Sequence, residues 1–212
     1  MSDPLAFRLR LDGAWWDIDL ESGTRASIDR MLRATIGRRD EDAAARARAR
    51  RDVLAAAAHA RAGGAVALAI ATRLPARIPA PVVLTVFPAE RIHVAPAVGT
   101  TAAAVLDALE HAATARHGAS VARRPAAGTP ALRTHRVVES QGPQGAEAGL
   151  EARRLVAEYW VPVPDTKHVA LVALATPLAD IPHAVLDLFD AVMAAAVFDR
   201  ERVEDRGRER LA

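Results

Sequence analysis

The sequence predicts an α+β domain in which an antiparallel sheet carries helices on both faces. Three observations predict it. Segments with strand-like alternation occur in pairs near both ends, LAFRLRL with AWWDIDL (5–11 and 14–20) and EYWVPVP with KHVALVALAT (158–164 and 167–176). AVALAIAT (65–72) and PVVLTVF (81–87) are apolar on both faces, as befits central strands covered on both sides. Stretches of helical period lie between these strands.

The first pair is separated by Asp12-Gly13, a two-residue hairpin signal. A loop there pairs Leu9 with Trp16 and Phe7 with Ile18 on a wholly apolar face. The other face receives Arg10 opposite Trp15 and Arg8 opposite Asp17. On this register Trp16 belongs to the core and Trp15 to the polar face. Ile28, Met31, Leu32, Thr35 and Ile36 follow helical spacing, with Thr24 and Ser27 as candidate N-caps and Gly37 as a stop. A second helix is expected from Asp40-Glu41-Asp42 to Gly63-Gly64. Its large apolar residues are Val53 and Leu54, so alanine supplies helicity but little area to bury, which suits an outer helix. A third helix spans 100–115, with Val105, Leu106 and Leu109 on one side and Asp107, Glu110 and His111 on the other.

Weaker strands are expected at 121–124 and 132–139, followed by a loop of mobile composition at 140–149. A hairpin across Asp165-Thr166 follows, with Tyr159 in phase with Leu155, Val161 and Val163. Asp180 is then expected to cap a helix with Ile181, Val185, Leu188, Phe189, Val192 and Ala196 inward. We expect a single domain over 1–199 and a charged C-terminal tail over 200–212.

Composition excludes several functions. There are 212 residues and no cysteine, which removes disulfides, thiolate metal sites and cysteine nucleophiles. The N-terminal MSDPLAFRLRL lacks the basic and apolar regions of a signal peptide, and the longest apolar runs fall well short of the roughly 20 residues of a bilayer span. The expected location is the cytoplasm, with no membrane contact. The pI of 9.8 accompanies a net charge of only +2, so it reflects one lysine and 27 arginines, not a strong field. That arginine and alanine bias points to a high-GC bacterial genome.

The stretch EYWVPVPDTKHVALVALATPLADIPHAVLDLFDAV (158–192) resembles the closing hairpin and helix of the PsbP-like α/β/α sandwich, and with the opening strands the element order is similar over most of the chain. Small bacterial proteins of that type are the nearer likeness. The named members, thylakoid-lumen PsbP subunits and a nuclear-transport factor that binds the GTPase Ran, are binding or assembly proteins. The resemblance therefore implies a noncatalytic role and designates no residue.

Phosphate-cradling GxxxxGK[ST], dinucleotide GxGxxG, GxSxG and HExxH patterns are all absent. Asp107 and His111, at i and i+4 on an exposed helix side, form the best local metal pair, but a solvated helix face outranks a metal site there. His93, His135, His168 and His183 have no partner visible in the sequence. Arg46, Arg48, Arg50 and Arg51 spread around their helix without interleaved aromatics, which argues against nucleic acid. No cofactor and no metal are expected. The leading expectation is a noncatalytic accessory, assembly or scaffold protein that recognises a protein partner or a second copy of itself. The contact residues would be Arg46, Arg50, Val53 and Leu54 on the alanine-rich helix, with Arg10 and Trp15 as a second patch. Behind it stand an enzyme with dispersed His and carboxylate residues, and a weak nucleic-acid binder acting through the arginine-rich helix.

Overall fold

A computed structural model describes residues 5–9, 11, 15–37, 39–73, 79–117, 120–140 and 152–200. Seven antiparallel strands form one open sheet in the order β2-β3-β4-β8-β7-β6-β5, and β1 pairs with β9 in a separate ribbon. The strands are β1 (Leu5–Arg8), β2 (Trp15–Asp17), β3 (Ala67–Arg73), β4 (Pro79–Phe87), β5 (Ser120–Ala126), β6 (Thr129–Ser140), β7 (Ala152–Pro162), β8 (Val169–Thr176) and β9 (Val197–Arg200). The helices are α1 (Thr24–Thr35), α2 (Ala43–Ala62), α3 (Ala102–His117) and α4 (Pro182–Ala194).

Side-chain alternation explains the layers. Leu68 and Ile70 of β3 point to one face, where they pack with Ile18, with Ile28, Met31 and Leu32 of α1, and with Ala57 of α2. Helix α3 lies over the β5–β7 end of this same face. Ala69 and Ala71 point to the other face, into a larger core made by Val82, Leu84, Leu155, Tyr159, Val161, Val172 and Leu174 with Val185, Leu186, Phe189 and Met193 of α4. The β1–β9 ribbon contributes Phe7 and Phe198 to that core. Helices therefore cover both faces, as the sequence predicts.

The opening hairpin is corrected. β1 does not pair with β2: Phe7 stands opposite Phe198, whereas Trp15 and Trp16 stand opposite Ala71 and Ile70 of β3. Phe7, Leu9 and Leu11 consequently share a core with Trp15, and Trp16 joins the α1/α2 side. Long-range pairing prevails over the local turn signal. The Phe7 and Phe198 rings meet edge to face at 5.4 Å, an arrangement worth about 0.5–1.5 kcal/mol beyond area burial. Asp12-Gly13 and Arg10 lie outside the described residues, as do the 141–149 part of the expected loop and the tail beyond Arg200.

Smaller corrections concern caps. Thr24 and Ser27 do not cap α1; their hydroxyls donate to the carbonyls of Glu21 and Thr24, while the Asp19 carboxylate accepts the amides of Glu21 and Gly23. Gly37 ends the helix at φ +88°, as expected. Asp180 makes no cap to α4 and pairs with Arg153 at 2.9 Å, and Ile181 is exposed where burial was expected. The hairpin between β5 and β6 turns on Ala127 and Gly128, both at positive φ, in a two-residue loop. The β5 edge carries Arg123, Arg124 and Pro125, residues that discourage a further strand.

Candidate functional site

Two constellations stand out. The first lies under α4. Arg133 and Tyr159 are cross-strand partners on β6 and β7, and both reach Asp190 of α4. Asp190 Oδ2 accepts from Arg133 Nη1 at 2.5 Å and Arg124 Nε at 2.9 Å, and Oδ1 accepts from the Tyr159 hydroxyl at 2.6 Å. Tyr159 is fully buried and the Arg133 side chain is 7% exposed. Burial, reinforced by the Asp190 carboxylate, pushes the Tyr159 phenol well above its ordinary range, so it holds its proton and acts as a donor. Both carboxylate oxygens are engaged, and the donors come from three neighbouring strands. This arrangement suits locking α4 to the sheet better than exchanging protons with a substrate.

His135 sits two residues from Arg133 on the same face. Burial lowers its pKa below the ordinary 6.5, and the nearby Arg133 and His183 lower it further, against an opposing pull from Asp190. The folded state thus holds the neutral ring. Below pH 6.5 the unfolded chain binds more protons than the folded one, so stability falls with pH from there down to the lower folded value. His135→Asn should flatten the change in urea midpoint between pH 7.5 and about 5.5 relative to the parent, a comparison that subtracts the carboxylates common to both.

The second constellation is a groove between α1 and α2. One hollow of about 340 Å³ is lined by Arg25, Ile28, Asp29, Arg50 and Leu54. A second of about 330 Å³ is lined by Glu21, Ser22, Thr24, Arg25, Leu54, Ala58 and Arg61. They share Arg25 and Leu54 and so adjoin. Arg50 pairs with Asp29 at 2.6 Å, and Arg61 donates to the Leu20 carbonyl at 2.6 Å and to Thr24 Oγ1 at 2.8 Å. Among the described residues no carboxylate lies within ion-pair distance of Arg25. Leu54 and Ala58 give the groove an apolar wall, and Arg25 is a cation on it with no ion-pair partner among the described residues.

The residues expected at a contact surface fall into three groups. Arg50 and Leu54 line the groove. Val53 is half-buried against the α1/α2 core, and Arg46 folds back to donate to the carbonyls of Gly37 and Arg39. Trp15 is half-buried on the α4 side of the sheet, away from α2. Arg46 and Arg50 turn toward α1 and its loop while Arg48 and Arg51 are exposed, so the arginines form no single stripe. The sequence does not mark Arg25, because its place beside Leu54 depends on how α1 and α2 pack.

Elsewhere, Asp107 and Glu110 are both taken by Arg123, at 2.5 and 2.7 Å, leaving His111 on an exposed helix face. Trp160 lines a small hollow of about 170 Å³ beneath α3, with Leu109, Leu132 and Glu158. His93 lies directly opposite His168. Among the described residues no group of three or more His, Cys, Asp or Glu side chains converges on a metal position, and no helix is long and apolar enough to cross a membrane.

Fold and site define an α+β protein with a seven-stranded antiparallel sheet and helices packed against it. No family model and no curated protein matches the chain. Its structure is similar to that of LpqN, described as involved in cell envelope biogenesis of Mycobacterium tuberculosis, with a TM-score of 0.40 and 11% sequence identity over 92% of this chain and 84% of that one. A likeness at that level bears on neither site nor function.

Proposed function

We propose that this chain is a noncatalytic accessory or assembly protein that docks a segment of a partner protein in the α1/α2 groove. The observation that carries this reading is Arg25, with no ion-pair partner among the described residues, beside Leu54 where the two hollows meet. Such a site suits an apolar side chain next to a carboxylate: Leu54 and Ala58 supply the contact area and Arg25 the charge. The engaged Asp190 network favours binding over chemistry, and the divided arginines favour a protein over nucleic acid. A PsbP-like sandwich, whose named members bind or assemble, agrees with this role, and we place it in the cytoplasm.

Calorimetry against the partner recovered from the native cell tests the reading. Leu54→Ala and Arg25→Ala should each weaken binding by about tenfold or more, the usual scale of an interface anchor, with circular dichroism unchanged. Full affinity in both folded variants would exclude the groove. Turnover of a small substrate that a single histidine substitution abolishes would overturn the noncatalytic role.

A further inference from the structure

We propose that His93 and His168 form a two-histidine site for a divalent transition-metal ion, copper(II) first among those that favour imidazole. His93 belongs to the connection between β4 and α3, and His168 immediately precedes β8. Two backbone bonds bracket the pair: Val94 N donates to the Lys167 carbonyl at 3.0 Å, and Val169 N donates to the Ile92 carbonyl at 2.9 Å. That pattern makes His93 and His168 a non-hydrogen-bonded antiparallel pair, the type with the closer side chains. Their Cβ atoms then stand about 4.5–5.5 Å apart on one face. Two imidazoles rooted at that separation can turn their nitrogens onto one ion at the usual metal–nitrogen distance of about 2.0–2.1 Å.

The surroundings favour an exchangeable ion. Both histidines are exposed, so ligation costs little desolvation and an ion has open access. The lysine next to His168 in the chain is engaged elsewhere: Lys167 Nζ donates to the Pro96 carbonyl. With no third protein ligand among the described residues, the remaining coordination positions fall to water or to an exogenous donor. Neutral nitrogen donors without carboxylates select against magnesium and calcium, and the order of divalent affinities puts copper(II) above nickel(II) and zinc(II). The pair also ties the β4–α3 connection to the β7–β8 hairpin, so a bound ion would cross-link two segments 75 positions apart in numbering.

Copper(II) titrated into the full chain provides the test, read by calorimetry and by electron paramagnetic resonance. One ion per chain should bind with coupling to two nitrogens. His93→Asn and His168→Asn should each lower affinity at least tenfold and leave one coupled nitrogen, whereas His59→Asn, on the exposed face of α2, should change nothing. In the unaltered protein, substoichiometric copper should broaden the ring proton signals of His93 and His168 before those of the other five histidines. That readout holds even where a variant does not fold. Absence of saturable binding, binding that both single variants retain, or first broadening at any other histidine would overturn the site.

Discussion

Asp190→Ala is expected to lower the stability of the folded chain by about 3–5 kcal/mol, the cost typical of leaving a buried charge without its partner. Among the described residues Asp190 is the one ion-pair partner of Arg133 and Arg124 and accepts from the Tyr159 hydroxyl, and its side chain is 17% exposed. Its loss strands the Arg133 guanidinium, whose Nε already has no partner among the described residues, and leaves the Tyr159 hydroxyl unsatisfied in the core. Arg124 suffers less, being 40% exposed. The pair is not itself a large source of stability. Replacing Arg133 and Asp190 together by Met and Leu should cost far less than Asp190→Ala alone, because the double variant leaves no buried charge. Urea unfolding of the two proteins measures the contrast. A loss under about 1 kcal/mol for Asp190→Ala would mean that solvent reaches Arg133.

Trp15→Ala and Trp16→Ala should each cost about 3 kcal/mol, at the low end for tryptophan truncation because both side chains are half-buried. The local hairpin reading instead reserves the large effect for Trp16. Both residues lie against an apolar cluster, Trp15 with Phe7, Leu9 and Phe198 and Trp16 with Ile18, Ile28 and Ile70. Neighbouring strand positions serve opposite cores, and the sheet has helices on both sides. Equal shifts in urea midpoint would agree with this layering; a loss confined to Trp16→Ala would contradict it.

The elements that were legible in the sequence are those whose partners are close in the chain. The β7–β8 hairpin, with Tyr159 inward beside Leu155 and Val161, needs only alternation and a turn. Helix α1 needs only its period and Gly37. The pairing of β1 with β9 was not legible, because Asp12-Gly13 is a strong local signal and Phe198 lies far along the chain. The Asp190 network left one faint trace, an acid directly after Phe189 at the border of an apolar helical stripe, but its partners come from three different strands. The groove was half legible: Leu54 and Arg50 mark an alanine-rich helix with little else to bury, whereas Arg25 enters only through the packing of α1 on α2.

The partner groove is tested most directly by a photo-crosslinking residue placed in the native cell. Position 58 lies on the groove and is exposed, and position 191 lies on the exposed side of α4 on the opposite layer. A discrete protein adduct formed from position 58, lost on Arg25→Ala and absent from position 191, is the predicted result. An adduct from position 191 with none from position 58 would place the contact on the α4 layer and contradict the groove.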